Sequence, residues 1–210
     1  MNYAEPRRPY RQTSRAAAAE ATGGRILAAF RARLEQGWLE EIRLEDIARD
    51  AGVTVQTVIR RFGGKEGLLE VAAERIGEAV ELRRDVAPGQ ALPAIAAVIR
   101  DYEASGDLIM RMLAQEDRHP AMRRITDVGR AGHRRWIGDV FAPWIERAPR
   151  ERREAMHDAL VVATDLYVWK LVRRDMGRGT DALVRLMLQM IAAALGVAPA
   201  ELATLEGNRE

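Results

Sequence analysis

The feature that most constrains this sequence is the stretch from Leu44 to Leu69, LEDIARDAGVTVQTVIRRFGGKEGLL. Leu44, Ile47 and Ala48 lie at positions i, i+3 and i+4, which predicts a short helix with one apolar face. Gly52 can adopt the positive φ that commonly ends such a helix, a conformation that is unfavourable for other residues. The stretch therefore begins with a helix and a glycine turn.

A second short helix is predicted directly after that turn. Thr54 can cap its N-terminus, and Val55 and Val58 give it a small apolar face. The residues on the outward side of this helix are then Gln56, Thr57, Arg60 and Arg61. Two short helices joined by a glycine turn predict a helix-turn-helix, whose second helix lies in the DNA major groove. An ordinary αα-hairpin is the alternative.

Four segments in order along the chain resemble the DNA-binding domain of the tetracycline-repressor (TetR) family. They are RILAAF from Arg25, Gly37-Trp38, LEDIARDAGVT from Leu44 and RRFGGKEGLL from Arg60. The resemblance implies an all-α protein with two parts. These are an N-terminal three-helix helix-turn-helix domain and a C-terminal helical bundle for effector binding and dimerisation.

Breaks in the pattern predict four regions along the chain. Residues 1–21 are expected to form a basic, disordered arm, because Met1 to Gln12 contain two prolines and no apolar period; the alternative for its end is a short helix through Ala16 to Ala19, capped by Thr13 or Ser14. The adjacent Gly23 and Gly24 are expected to interrupt any helix there. Residues 22–69 form the helix-turn-helix domain with its motif at about 43–62, residues 70–196 the helical second domain, and residues 197–210 a tail.

The N-terminal segment is strongly basic although the whole chain has a net charge of only +2. Seven arginines and two glutamates lie between Met1 and Leu34. Such a cluster beside a DNA-reading element suits an electrostatic contact with DNA, and a solvated tail is the alternative.

Composition argues against several other classes of protein. The chain has no cysteine, which excludes disulfides and fits a cytoplasmic setting. No apolar run is long enough to span a membrane. The histidines His119, His133 and His157 are far apart and form no metal-binding motif. We therefore expect no enzyme activity, no cofactor and no metal site.

Candidate DNA contacts lie on the second helix and beside it. Gln56 can bond a base edge, Val55 can meet a thymine methyl, and the arginines and lysine can neutralise phosphates. The full set is Arg43, Thr54, Val55, Gln56, Thr57, Ile59, Arg60, Arg61 and Lys65.

Two of these positions depart from the family. Arg43 stands where the family usually has a capping threonine, so it keeps a phosphate contact and loses the cap. Ile59 stands where the family commonly has tyrosine, which puts that backbone contact in doubt.

The second domain is predicted to be helical, with a turn at Ser105–Asp107, one long apolar helix from Pro149 to Arg174, and a last helix from Asp181 to Leu195. The last two are apolar on more than one side, so one side is expected to pack on a second copy. The predicted homodimer interface comprises Leu160, Leu171, Leu183, Met187, Met190 and Ile191. A monomer with both helices in its own core is the alternative.

The resemblance also implies a small-molecule effector, bulky and largely apolar, bound between helices of the second domain. The candidate pocket residues are Tyr102, Met110, Met112, Trp136, Trp144, Thr164, Asp165, Tyr167 and Trp169, all of which could instead be core. The sequence thus predicts a transcriptional repressor that an effector releases from a palindromic operator on double-stranded DNA. Two alternatives are an architectural DNA-binding protein without effector, and a helical enzyme or ligand carrier that has lost DNA binding.

Overall fold

The computed structural model of the protein describes residues 10–204, and the side chains of residues 16–202. Within that range the regular elements are helices and none is a strand, which confirms the predicted all-α class. Contacts divide the chain into unit 1, residues 1–73, and unit 2, residues 74–210. This division falls inside the helix Lys65–Arg83. The sequence instead predicted a domain boundary after residue 69.

Unit 1 contains α1 (Tyr10–Leu34), a 3-10 turn (Leu39–Glu41), α2 (Leu44–Ala51), α3 (Val55–Phe62) and the first half of α4 (Lys65–Arg83). The predicted stripe on α1 is buried, as are the apolar residues that α2, α3 and α4 turn towards it. This core comprises Ile26, Leu27, Phe30, Leu34, Ile47, Ala48, Val58, Leu68 and Leu69.

The predicted break at Gly23 and Gly24 is wrong, because α1 runs through both glycines without interruption. Two glycines cost roughly 1 kcal/mol each relative to alanine. The alanine run just before them, among the best helix formers, and the packing of Ile26 and Phe30 just after them offset that cost. Residues 10–21 of the predicted arm are therefore helical, and the short helix considered for Ala16 to Ala19 is part of α1. Residues 1–9 of that arm lie outside the described range.

Unit 2 holds the remaining elements in the order α5 (Ala91–Leu113), α6 (Pro120–Val140), α7 (Ala142–Ile145), a 3-10 turn (Arg150–Arg152), α8 (Arg153–Ala163), α9 (Leu166–Lys170), a π-helical turn (Leu171–Asp175), α10 (Thr180–Leu195) and α11 (Pro199–Thr204). Helix α5 packs against α6, α9 and α10, and α8 packs against α6 and α10. The core between them includes Ile95, Val98, Ile137, Leu160, Trp169 and Met187. None of the described helices is long and apolar enough to cross a membrane.

Two predicted features of unit 2 are wrong. The turn at Ser105–Asp107 does not exist, because α5 is continuous from Ala91 to Leu113. The long helix from Pro149 to Arg174 is instead broken at Thr164, and Asp165 caps α9 by accepting a hydrogen bond from the N–H of Tyr167 at 2.8 Å. The predicted last helix is confirmed to within one residue.

Candidate nucleic-acid interface

The turn between α2 and α3 has the backbone geometry that the sequence predicts. Gly52 has φ of 65°, and its N–H bonds the carbonyls of Ala48 and Arg49. The hydroxyl of Thr54 accepts a hydrogen bond from the N–H of Thr57 at 3.2 Å, so Thr54 caps α3. The glycine turn and the threonine cap therefore fix where α3 begins and how it is oriented relative to α2, as in a helix-turn-helix.

Helix α3 turns one apolar side inward and a polar side outward. Val58 is completely buried, and Phe62 is partly buried. Gln56, the second residue of the helix, is exposed, and Ile59 is 40% exposed. The remaining predicted contact residues are exposed or half-buried and are Arg43, Thr54, Val55, Thr57, Arg60 and Arg61.

Ion pairs fix α2 against α1. The guanidinium of Arg33 lies 2.5 Å from a carboxylate oxygen of Asp50 and 3.5 Å from one of Asp46. Arg25 donates from Nε to the carbonyl of Ala51, at the end of α2, at 3.2 Å. Both arginines belong to the basic segment noted in the sequence, yet they hold the motif together. Their partners are 17 and 26 residues away, so sequence spacing carries no signal for this role.

Lys65 also has a partner inside unit 1. Its ammonium group donates to the carbonyl oxygens of Leu39 at 3.0 Å and Glu40 at 3.3 Å, which ties the start of α4 to the 3-10 turn. In the first turn of α4, a β-carbon on Gly67 would overlap the carbonyl oxygen of Phe62, so only glycine fits there. The structure therefore gives Lys65 a bracing role that the sequence did not predict.

Arg43, Arg60 and Arg61 place positive charge beside the helix-turn-helix. Among the residues that the structure describes, no carboxylate lies within ion-pair distance of Arg43, Arg60 or Arg61. Arg43 is exposed just before α2 and makes no capping bond with its side chain, as expected from its departure from the family. Uncompensated guanidinium groups beside an exposed polar helix face suit contacts with DNA phosphates.

In unit 2 the residues predicted to line an effector pocket differ in how deeply they are buried. Tyr102, Met112, Thr164 and Trp169 are buried, Met110, Trp136, Trp144 and Asp165 are half-buried, and Tyr167 is 57% exposed. Trp169 donates from Nε1 to Glu103 at 3.0 Å, and Trp136 donates to the carbonyl of Arg84 at 2.8 Å.

Two of these residues belong to a buried polar network. Tyr102 donates to the carbonyl of Thr164 at 3.1 Å, and the Thr164 hydroxyl lies 3.2 Å from Nε2 of His133. Nδ1 of His133 lies 2.9 Å from Nη1 of Arg84. Arginine can only donate, so Nδ1 accepts and Nε2 carries the proton. Burial raises the pKa of Tyr102 to about 12, and burial together with Arg84 lowers the pKa of His133 to about 3.

The network ends on a buried carboxylate. Asp101 is completely buried and accepts hydrogen bonds from Arg83 and from Arg84, each at 2.8 Å. Arg83 is the last residue of α4, and Arg84 follows it directly. Asp101 and the two arginines were not predicted, because a lone aspartate in a helical pattern looks like a solvated residue until its partners are known.

The predicted dimer interface needs correction. Four of its members are core residues of the single chain with no exposed area, and they are Leu160, Leu183, Met187 and Ile191. Leu171 is 51% exposed and Met190 is half-buried. Helices α8 and α10 are apolar on two sides, and the periodicity alone could not tell which of the two sides packs into the core of the single chain.

Comparison with known proteins agrees with this geometry. Residues 26–72 match the family model described as bacterial regulatory proteins, tetR family. The chain is also similar to the crystal structure of a tetR-family transcriptional regulator from Streptomyces coelicolor, with a TM-score of 0.66 and 17% identity. That similarity covers 89% of this chain and 86% of the other. No curated protein matches the chain by sequence.

The geometry of α2 and α3, together with the family match over residues 26–72, defines a DNA-binding domain of the helix-turn-helix class. Within that class the chain carries the N-terminal domain of the TetR family and, beyond it, the fold of a TetR-family regulator. The resemblance stated from the sequence is thereby confirmed.

Proposed function

We propose that this protein is a sequence-specific, homodimeric repressor of transcription that a small molecule releases from a palindromic operator. The single observation that carries the proposal is the outward face of α3. It presents Gln56 beside two arginines, Arg60 and Arg61, for which the described residues provide no carboxylate partner. A glutamine can bond a base edge with two hydrogen bonds, while arginines fix register on the phosphates.

Dimerisation is supported by apolar stripes on two neighbouring helices. On α8 the exposed positions i, i+4 and i+7 are Ala155, Ala159 and Val162. On α10 the corresponding positions are Leu186, Met190 and Ala193, each exposed or half-buried. Exposed apolar patches of this kind mark interaction surfaces, and a two-fold dimer would present two copies of α3 to a palindrome.

Release by an effector would be a shift between two populations. Helix α4 continues from unit 1 into unit 2, where Asp101 holds Arg83 and Arg84 at its end. A ligand that binds one arrangement of unit 2 better than another shifts DNA affinity only by that difference, typically ~1–3 kcal/mol. The candidate pocket residues remain a prediction. Met110, Trp144 and Tyr167, which are half-buried or exposed, are more accessible to a ligand than the fully buried candidates.

The experiment that tests the proposal is selection of binding sites from random duplex DNA by the purified protein, followed by sequencing. We expect a palindrome. Gln56→Ala should then weaken binding to that palindrome by about 1–3 kcal/mol and leave binding to random DNA unchanged. Gln36→Ala, an exposed glutamine just after α1, is the matched control and should change neither.

Failure to recover any sequence motif under conditions where the protein is folded and binds DNA would contradict sequence-specific regulation. An equal loss on both DNAs for Gln56→Ala would remove its role as a base contact. Once the palindrome is known, candidate effectors can be screened by their ability to release the protein from it. If none of a broad apolar library does so, the effector part of the proposal loses its support.

A further inference from the structure

An open cleft lies between the N-terminal half of α1 and the outward face of α3. Its volume is about 500 Å³. One wall is formed by small side chains of α1, namely Ala18, Ala19 and Thr22. The other wall is the polar side of α3, formed by Thr57, Arg60 and Arg61. We call it the α1–α3 cleft. None of its lining residues is acidic.

The cleft has the chemistry of an anion site on its α3 side. Arg60 and Arg61 supply guanidinium groups, and neither has an acidic partner among the described residues. On the α1 side Thr22 donates its hydroxyl to the carbonyl of Ala18 at 2.8 Å. Ala18 and Ala19 are exposed and carry only methyl groups, so a bulky anion can come close to the helix there.

Gly23 sets the position of one of the two arginines. A β-carbon on Gly23 would lie 2.5 Å from Nε and from Nη2 of Arg61, closer than real contacts allow. The guanidinium of Arg61 therefore rests directly on the backbone of α1. This explains why Gly23 is buried although the alanines on its N-terminal side are exposed.

We propose that the α1–α3 cleft holds a phosphate of the DNA backbone, so that the N-terminal half of α1 is a DNA-contacting element in addition to the helix-turn-helix. Helix α1 begins at Tyr10, sixteen residues before the segment that matches the family model. Thr57, Arg60 and Arg61 belong both to the cleft and to the outward side of α3, so DNA that meets α3 reaches the cleft as well. The inference rests on the proposed DNA binding.

The test places a negative charge inside the cleft and, as a control, on the other side of the same helix. Ala18→Glu puts a carboxylate in the cleft. Ala17→Glu adds the same charge to an equally exposed alanine that does not line it, because neighbouring helical residues point about 100° apart. Both variants should unfold at the same temperature as the parent protein, since both sites are exposed.

We expect Ala18→Glu to weaken DNA binding at least tenfold, on the selected palindrome and on random duplex alike, because a phosphate contact carries no sequence information. The slope of log affinity against log salt concentration should flatten by about one unit. Ala17→Glu should weaken binding by about threefold or less and keep the slope, since its carboxylate points away from the cleft into water and salt, which screen it. Ala19→Glu should behave like Ala18→Glu.

Phosphate ethylation interference provides a second readout on the same complexes. The parent protein should show a phosphate at which ethylation blocks binding, and Ala18→Glu should lose sensitivity at that phosphate alone. Equal effects of Ala17→Glu and Ala18→Glu, or no effect of either, would overturn the cleft as a phosphate site while leaving the proposed function intact. Absence of any DNA binding by the parent protein at low salt would overturn both.

Discussion

Gly106 offers a sharp test of how unit 2 is packed. It lies within α5 under the indole ring of Trp169, which is completely buried. A β-carbon at Gly106 would lie 2.6 Å from the ring atoms Cη2 and Cζ3 and 3.1 Å from Cε3. The indole is rigid and its Nε1 is bonded to Glu103 at 3.0 Å, so relief requires a shift of the ring or of α5.

The magnitude follows from two opposing effects of Gly106→Ala. Alanine is favoured over glycine inside a helix by roughly 1 kcal/mol. Forcing a methyl group into a well-packed core costs roughly 1–3 kcal/mol. We therefore expect the free energy of unfolding to fall by about 0–2 kcal/mol. The control is Gly129→Ala in α6, where nothing lies within 4 Å of the added carbon and only the helix gain of up to roughly 1 kcal/mol applies.

The measurement is urea unfolding followed by circular dichroism, with the two variants compared with the parent. The variants should differ by about 1–3 kcal/mol, the cost of the clash. In a Trp169→Leu background the clash is removed, and Gly106→Ala should then be as favourable as Gly129→Ala. If Gly106→Ala stabilises the otherwise unchanged protein as much as Gly129→Ala does, the argument that Trp169 requires a glycine beneath it is refuted.

Three further predictions concern unit 2. Asp101→Asn leaves Arg84 buried without its carboxylate and should lower the free energy of unfolding by roughly 3–5 kcal/mol in urea, and an unchanged value would contradict the pairing. Because the pKa of His133 falls from 6.5 to about 3 in the folded protein, the unfolded chain takes up this proton first. Stability should therefore decline as the pH falls from 6.5 towards 3, and His133→Gln should reduce that decline, measured by unfolding at each pH. Val162→Arg should dissociate the proposed dimer in analytical ultracentrifugation, whereas Val128→Arg, at an exposed valine of α6, should not.

The helix-turn-helix could be predicted from the sequence because its signals are local. Gly52 ends α2 and Thr54 caps α3 within three residues, and Val58 is buried as its spacing predicts. The stripe from Ile26 to Leu34 is likewise buried. The outward residues of α3 follow from these inward ones, since a helix that buries one side must expose the other.

Contacts that bring distant parts of the chain together could not be predicted in this way. From the sequence, Gly106 looks like a turn residue. In the structure it must be glycine because the ring of Trp169, which is distant in sequence, packs directly against it. Asp165 looks like a carboxylate in an apolar helix, and it is a cap because the helix breaks there. Lys65 looks like a phosphate contact, and its ammonium is bonded to two carbonyls near the start of the motif.

The sequence by itself determined that the chain is helical, that a DNA-reading motif lies near its N-terminus, and which side of α3 faces outward. Only the tertiary structure decided that Leu160 is core while its neighbour Val162 is exposed, and that Asp101 is the buried partner of Arg83 and Arg84. The physical reason is the distance along the chain over which each structural signal acts. Caps and helical periods act within a few residues, whereas an apolar helix can be buried from either side and an ion pair can join any two charges that the fold brings together.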